Sequence, residues 1–410
     1  MSERGKKLLF AAFFVLVSAG MGYAIYYILF HSPQAAQPSP TTQAPTSLSG
    51  NLPQAGPGTG TNTTSPGTST GLPTSGNIPT TAQPAQPSGT EILRDAVTQA
   101  TSPTPDGNGA RFYNPEDGRF YTITPDGKIV ALSDRQFFNV NTVDWGNSKN
   151  EAILTFPDGS NLYYDFQQQQ QVNLPGHWQD FNFSPTDDKV VAKSIGIDPD
   201  NRVLIVTNPN GTEAQAVETL GDNADQMHVA WSPEGQILGY ATTGDAQSNN
   251  QQQILFIGQN HENFKSIIAP GQDFLPNWSP TGKQILYSVW SPDNGNKPSL
   301  WLSSGEPTTM GANRKSLQIN TWADKCVWAG ETDIFCGVPQ DLPENAGLQR
   351  SEFATLPDDV YHIDLTLGSA VKINTPDQTF PVRAPIVTKD KTKFIFTDAS
   401  TGKLYSYDIK

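Results

Sequence analysis

Residues with catalytic or metal-binding chemistry are few in this sequence, and they are scattered. The histidines stand singly, at His31, His177, His228, His261 and His362. Residues 91–410 contain no G-x-S-x-G nucleophile elbow, and the chain has no H-E-x-x-H zinc motif and no phosphate-binding P-loop. We therefore expect no catalytic residue, no metal and no cofactor, and we expect the histidines at the surface or in loops.

Oxygen- and amide-rich stretches are the remaining candidates for binding chemistry. Asp/Asn-rich turns at 198–201, 222–225 and 293–296 place possible calcium ligands close together, but none offers the five or six ligands of an EF-hand loop. We expect them to be solvated turns. Two uncharged amide runs, at 167–171 and 248–253, could bind a glycan through bidentate hydrogen bonds. The alternative is that these runs are soluble hairpin tips.

The two cysteines lie symmetrically about Glu331. If residues 328–332 turn the chain, Cys326 and Cys336 face each other on neighbouring strands, where opposed Cβ atoms are about 4.5–5.5 Å apart and near bridging distance. We expect a disulfide that acts as a structural clip. A pair of small buried thiols is the alternative.

The elements that position these residues come from a repeat in residues 91–410. Its phrase is an aromatic or apolar residue, a turn-forming group such as Ser-Pro-x-Gly, and a short β-rich run. Plain copies begin at Phe183, Trp231 and Trp278, and weaker ones at Pro103, Trp145, Trp328 and Val387. A period of about 40–50 residues with strand signals is typical of a β-propeller. We expect the aromatic residues to anchor the blades structurally.

Seven copies predict an all-β, seven-bladed propeller over residues 91–410. The last copy ends after its third strand, near Ile409. Its fourth strand would come from Glu91–Val97, which would close the ring and remove an open edge. A short helix at 91–99 that plugs one end of the ring is the alternative.

These phrases resemble the TolB-like β-propeller repeat, in which an aromatic residue is followed by Ser-Pro-Asp-Gly and then Ile-Ala-Tyr. The resemblance covers residues 101–410 and is strongest at the copies that begin at Phe183, Trp231 and Trp278. It implies the propeller fold. The separate α/β domain that precedes the propeller in TolB is replaced here by a different N-terminal region.

That region predicts a membrane anchor and a linker. Leu8–Phe30 is uncharged and long enough for a transmembrane helix, and Arg4, Lys6 and Lys7 precede it. The positive-inside rule then keeps residues 1–7 in the cytoplasm and sends the rest across. A cleaved signal peptide is the alternative. Residues 31–90 are rich in Pro, Thr, Ser and Gly, which predicts a disordered linker with ends roughly 40 Å apart; a glycosylated stalk is also compatible.

The net charge of the chain limits the classes of partner that we expect. The formal net charge is −14, which argues against nucleic acid. We expect a non-enzymatic binding or scaffolding module on the outer side of the cytoplasmic membrane, in a periplasm or at the cell surface, whose partners are envelope proteins or peptides. The alternatives are a protein that binds cell-wall glycan or peptidoglycan, and an enzyme that cleaves glycans with paired carboxylates.

Overall fold

Seven small antiparallel sheets form the fold. The structure, a computed structural model, describes residues 89–244, 246–247, 250–262, 264–373 and 378–409. In these residues six sheets have four strands and one has five. Each sheet is one blade, and the innermost strands of neighbouring blades contact one another around a central channel. The fold is therefore a seven-bladed β-propeller, as the repeat predicts.

The strands follow the chain order blade by blade. The first strand, β1 (Glu91–Arg94), belongs to blade 7. Blade 1 contains β2 (Gln99–Pro103), β3 (Ala110–Asn114), β4 (Arg119–Ile123) and β5 (Ile129–Ala131). Blade 2 contains β6 (Thr142–Trp145), β7 (Glu151–Thr155), β8 (Asn161–Asp165) and β9 (Gln170–Leu174). Blade 3 contains β10 (Trp178–Phe183), β11 (Val190–Ile195), β12 (Arg202–Thr207) and β13 (Gln215–Thr219).

Blade 4 is the five-stranded sheet. It contains β14 (Met227–Val229), β15 (Ile237–Ala241), β16 (Ala246–Gln247), β17 (Gln251–Gly258) and β18 (Ile267–Ala269). Blade 5 contains β19 (Gln272–Trp278), β20 (Gln284–Trp290), β21 (Pro298–Ser304) and β22 (Lys315–Ser316). Blade 6 contains β23 (Cys326–Trp328), β24 (Asp333–Pro339), β25 (Asp358–Asp364) and β26 (Ser369–Lys372). Blade 7 contains β27 (Val382–Val387), β28 (Lys393–Asp398), β29 (Leu404–Asp408) and β1.

Helical turns are short. The 3-10 turns are Pro199–Asn201, Gly221–Gln226, Pro292–Asn294, Ala323–Lys325 and Ala346–Leu348, and the α-helix α1 is Arg350–Phe353. Among the described residues, none forms a helix long and apolar enough to cross a membrane. The predicted anchor (8–30) and cytoplasmic segment (1–7) lie outside these residues, as does the predicted linker up to residue 88.

The Ser-Pro-x-Gly phrases form the turn between the first and second strands of a blade. In blade 4, Gly235 N–H donates to Ser232 O at 2.9 Å, and Ile237 N–H donates to Ser232 Oγ at 3.0 Å. Gly235 has φ 86° and the equivalent Gly282 has φ 74°. A residue with a Cβ is strained at such angles, which explains glycine in the phrase.

The two faces of the ring differ in their connections. The turn face carries the turns from first to second strand and from third to fourth strand of each blade. The loop face carries the connections from second to third strand and from blade to blade. On the loop face, the connections 291–297 and 340–357 pack together, with Asn345 N–H donating to Gly295 O and Gly347 N–H donating to Asn296 O, both at 2.8 Å.

The ring closes through its first strand. β1 pairs antiparallel with β29, the third strand of blade 7. From β1, the Arg94 guanidinium lies 5.3 Å from the ring centroid of Phe112 and 5.6 Å from that of Tyr121, both in blade 1. The predicted strand closure is thus confirmed, and the alternative of a helix at 91–99 is wrong.

Buried apolar clusters lie between the blades. Each of the seven interfaces between neighbouring blades has its own cluster in the described residues. Between blades 1 and 2, for example, Phe120 packs edge-on against Trp145 at 5.4 Å between ring centroids. The ring is therefore held together by seven separate cores, which fix where each innermost strand stands at the channel.

Candidate functional site

The innermost strands of the odd-numbered blades contain β-bulges. A bulge inserts an extra residue and changes the direction of a side chain. The bulge residues with positive φ are Ala100 (50°), Asp180 (53°), Asp273 (60°) and Ala384 (47°), on blades 1, 3, 5 and 7. Carboxylates thus occupy this conformation on blades 3 and 5, where blades 1 and 7 have alanine.

Asp180 is held by a lysine that joins two blades. Lys193, on the second strand of blade 3, forms an ion pair with Asp180. The same ammonium group donates hydrogen bonds to Ala224 O at 3.2 Å, in the 3-10 turn that leads into blade 4, and to Met227 O at 3.1 Å, in blade 4. Lys193 is nearly buried, whereas Asp180 is exposed at the start of its strand, near the loop face.

His228 lies on blade 4, between the bulge of blade 3 that holds Asp180 and the bulge of blade 5 that holds Asp273. The residue as a whole is exposed, but its ring stacks on Tyr240 with centroids 5.0 Å apart, which covers one face of the imidazole. Burial and the charge of Lys193 lower the pKa of His228, against the opposing effect of Asp180 and Asp273. The imidazole is therefore neutral at pH 7 and can both donate and accept a hydrogen bond.

Asp144 adds a carboxyl group from blade 2. Burial, and then the neighbouring charge of Asp180, raise its pKa to about 7. The side chain is half-buried. In the described part of the chain no hydrogen bond or positive charge offsets its desolvation.

The equivalent position on blades 3 and 5 shows which hydrogen bond Asp144 lacks. Asn182 and Asn277 each precede the anchor aromatic of their blade, as Asp144 does. Asn182 Oδ1 accepts from Trp231 N–H at 2.8 Å, and Asn277 Nδ2 donates to Cys326 O at 2.8 Å. Both amides thus bind the next blade. A carboxylate at this position cannot donate to a carbonyl, so Asp144 is left without the bond that Asn277 makes.

A recess at the innermost strands of blades 7, 1 and 2 has no carboxylate in its described lining. This recess has a volume of about 450 Å³ and its lining includes Gln99, Thr101, Thr142, Arg383 and Thr397. The Thr101 and Thr397 hydroxyls are hydrogen-bonded at 2.9 Å. The carboxylates named above thus lie on blades 2, 3 and 5, whereas the residues that line this recess are neutral apart from Arg383. We call Asp144, Asp180, His228 and Asp273 together the acidic mouth.

The predicted anchor aromatics lie at the interfaces between blades. Trp145 and Trp328 donate from their indole N–H groups to the preceding blade, to Ala100 O at 2.7 Å and Asn277 O at 3.2 Å. The other predicted anchors, Phe183, Trp231 and Trp278, pack against the clusters of their interfaces. None of these five residues is part of the acidic mouth.

The two cysteines are joined by a disulfide. Cys326 on β23 and Cys336 on β24 are directly opposite in the sheet register, with Cα atoms 4.0 Å apart. Both are buried in the cluster between blades 5 and 6. Their place in the fold is structural.

Metal binding finds no support in the described residues, where no group of three or more His, Cys, Asp or Glu side chains is arranged to hold an ion. Asp198 instead caps a 3-10 turn by accepting from Asp200 N–H at 3.1 Å. His362 Nε2 lies 2.9 Å from Asp333 Oδ1, in blade 6. His31 lies outside the described residues.

Sequence reasoning did not single out the residues of the acidic mouth as a group. One signal could have found Asp144: when the repeat phrases are aligned, it stands where Asn182 and Asn277 stand. Asp180 and Asp273 owe their placement to bulges, which no turn residue or alternation in the phrase announces.

Comparisons with known proteins show the fold alone. No family model matches the chain, and no curated protein matches it. The solved structures similar to it include an oligogalacturonate lyase in complex with manganese, with a TM-score of 0.54 at 13% identity over 78% of this chain and 93% of that one. The resemblance to the TolB-like repeat stays a prediction from the sequence.

Two further solved structures have a similar fold. The β-propeller domain of Cps50 (Swd1) from Myceliophteria thermophila has a TM-score of 0.51 at 9% identity, over 79% of this chain and 100% of that one. Tricorn protease has a TM-score of 0.51 at 11% identity over 79% of this chain. This chain spans about a third, 34%, of the tricorn protease chain.

Proposed function

We propose that this protein is a non-enzymatic binding module of the cell envelope that docks a basic segment of a partner protein at its acidic mouth. The observation that carries the proposal is the pair of aspartates, Asp180 and Asp273, in bulges where other blades have alanine. With Asp144 and neutral His228 they offer hydrogen-bond acceptors to a lysine or arginine side chain.

The charge of the whole chain supports a basic partner. A formal net charge of −14 favours approach of a positively charged segment and increases its association rate at low salt. Of the three mouth carboxylates, only Asp180 has a lysine partner within the described residues. A partner cation at Asp273 would therefore meet a charge that no lysine of the described chain neutralises.

The N-terminal region supplies the second part of the proposal. Leu8–Phe30 anchors the chain in the cytoplasmic membrane, and residues 31–90 serve as a flexible leash. The described chain enters the ring at Glu91, the end of β1 that pairs nearer to the turn face. Such a leash would keep the acidic mouth at a high local concentration near partners at the membrane.

The test is proximity crosslinking of the full-length chain in cells, with Asp273→Asn as the variant. Asp273 is exposed, so the substitution leaves the core intact. We expect recovery of the crosslinked partner to fall about fivefold, as the loss of one charge contact predicts. An oligolysine peptide should compete with the partner for the acidic mouth.

The matched control is Asp126→Asn. Asp126 is an exposed aspartate in the turn between β4 and β5, on the turn face, and its substitution changes the net charge equally. Recovery of the partner should stay unchanged. Equal loss with both variants, or no loss with Asp273→Asn, would refute docking at the acidic mouth.

Glycan cleavage by paired carboxylates is a second candidate, which one observation favours. The pKa of Asp144, at about 7, suits a general acid or base, and Asp180 is the carboxylate whose charge acts on it. The similar oligogalacturonate lyase is an enzyme, but at 13% identity this similarity supports the fold only. Release of reducing ends from cell-wall glycans, abolished by Asp144→Asn, would establish this function in place of the first.

A further inference from the structure

A second concave site lies on the turn face, between blades 2 and 3. It is a cleft of about 560 Å³, within the range of about 300–1,000 Å³ typical of ligand sites. Its side chains include the amides of Asn150, Gln167, Gln168, Gln170, Asn208 and Asn210. The predicted amide run at 167–171 therefore lines a cleft, and is not only a hairpin tip.

One wall of the cleft is fixed by a buried aspartate. Asp187 of blade 3 is fully buried, and its carboxylate accepts from the backbone N–H groups of Asn147, Ser148 and Lys149 at 2.6–2.8 Å. Both of its oxygens are used by this loop of blade 2. Asp187 is thus a structural group that positions the cleft and is not free for a ligand.

An arginine from blade 1 also binds the loop of residues 146–150. Arg111 is buried and donates to Lys149 O at 2.7 Å and to Gly146 O. Its guanidinium lies 4.5 Å from the ring centroid of Trp145. Three blades therefore hold residues 146–150 in one conformation, which gives the cleft a preformed wall.

Glu151 lies in this cleft with an incomplete set of hydrogen bonds. It is only 3% exposed, and its Oε2 accepts from the Tyr163 hydroxyl at 2.7 Å. Its Oε1 is buried and has no hydrogen-bond partner. Burial raises the pKa of the carboxyl group. A buried acceptor without a donor is costly, so a ligand that supplies the donor gains that free energy on binding.

The chemistry of the lining selects the ligand. Acidic side chains at Asp165, Asp188 and Glu151 disfavour an anion, and among the described residues that line the cleft only Lys149 is basic. Amide groups both donate and accept, and so match the paired hydroxyl groups of a sugar ring. In the described structure no hydrogen bond engages the side-chain amides of Gln167, Gln168 or Gln170, which are exposed.

We propose that this cleft binds a neutral carbohydrate, with a sugar hydroxyl donating to Glu151 Oε1 and the glutamines at 167, 168 and 170 binding further hydroxyl groups. The site is separate from the acidic mouth, and the proposal does not depend on the docking of a protein there.

The test is calorimetric titration of the purified full-length chain with neutral oligosaccharides, namely chitobiose, cellobiose and maltotriose, and with digalacturonate as the charged probe. We expect at least one neutral sugar to bind and digalacturonate to bind about tenfold more weakly or not at all. Failure of all three neutral sugars to bind would overturn the proposal, as would a preference for the uronate.

The decisive variant replaces Gln167, Gln168 and Gln170 by alanine. These residues are exposed, so folding is kept, and affinity for the sugar should fall about tenfold or more. Glu151→Gln, which removes the charge and keeps the side-chain shape, should weaken binding as well. Sugar affinity that is unchanged in the triple variant would place the ligand elsewhere and refute the proposal.

The matched control is the equivalent turn of blade 6. Asp364 Oδ1 accepts from Thr366 N–H and Leu367 N–H, as Asp165 Oδ1 accepts from Gln167 N–H and Gln168 N–H. Thr366→Ala combined with Leu367→Ala should leave sugar affinity unchanged. Asp273→Asn should also leave it unchanged, which separates this site from the acidic mouth.

Discussion

At the scale of single residues, the unusual groups are carboxyls that the fold keeps partly out of water. Asp144 stands where two other blades use asparagine to bind the next blade, and it has the charge of Asp180 beside it. Glu151 likewise has one oxygen without a donor. Both positions are less stable than an amide or a satisfied acceptor would be, which is typical of residues kept for binding.

Asp144→Asn should remove a pH dependence of stability. The folded pKa, about 7, lies above the unfolded value of 3.8, so the folded state holds a proton that the unfolded state has lost. Stability therefore falls as pH rises from about 4 to 7, by at most about 4 kcal/mol, and by less because the side chain is half exposed.

The measurement is urea unfolding at pH 5 and pH 8. The variant should be more stable than the wild type at pH 8, with a smaller difference at pH 5. Asp126→Asn, which changes an exposed aspartate whose pKa is lowered by the Thr124 hydroxyl, should show no gain at pH 8. An Asp144→Asn protein as pH-dependent as the wild type would contradict the assignment.

At the scale of elements, each blade is a hairpin series whose turns are set by local residues. The β23–β24 hairpin is reinforced by the Cys326–Cys336 disulfide, which lies across the pair in the core between blades 5 and 6. The loop that it closes is short, so the expected stabilisation is modest.

Cys326→Ala combined with Cys336→Ala should lower the free energy of unfolding by up to about 3 kcal/mol, because the unfolded chain regains the entropy of the opened loop. Denaturant unfolding measures the loss. Thiol titration of the denatured wild-type protein, exported and unreduced, should detect no free thiol. Two titratable thiols in that sample, or a double variant as stable as the wild type, would contradict a stabilising disulfide.

At the scale of the whole molecule, the ring depends on β1. This strand pairs with β29 in blade 7 while Arg94 lies over Phe112 and Tyr121 in blade 1. Leu93 packs into the cluster between the same two blades. The first described segment of the chain therefore joins the last blade to the first.

Deletion of residues 89–95 should destabilise the ring by about 3–5 kcal/mol, through the loss of ladder hydrogen bonds, the burial of Leu93 and the cation–π contact of Arg94. It should also expose the edge of β29 and promote self-association. Thermal unfolding and light scattering measure both effects. As a control, Glu91→Gln removes only the exposed ion pair with Lys393 and should cost less than about 1 kcal/mol. A monomeric deletion protein of normal stability would refute closure by β1.

The sequence by itself determined the blade count, the hairpin turns and the ring closure. These depend on local features: a proline and a glycine at fixed places in a turn, short runs of β-branched and aromatic residues, and a period that repeats seven times. The facing cysteines followed from the same local symmetry about Glu331. Such signals can be interpreted without knowing which blade lies beside which.

Only the tertiary structure brings together the residues of the two proposed sites. Asp144, Asp180, His228 and Asp273 come from four successive blades, and the ring brings their innermost strands to one channel. The bulges that set the direction of the Asp180 and Asp273 side chains cannot be recognised in the repeat phrase. The raised pKa values of Asp144 and Glu151 come from burial by neighbouring blades. Contacts between blades set these properties, and the local signs in the sequence are limited to an aspartate at 144 where the repeat has asparagine and to the amide run at 167–171.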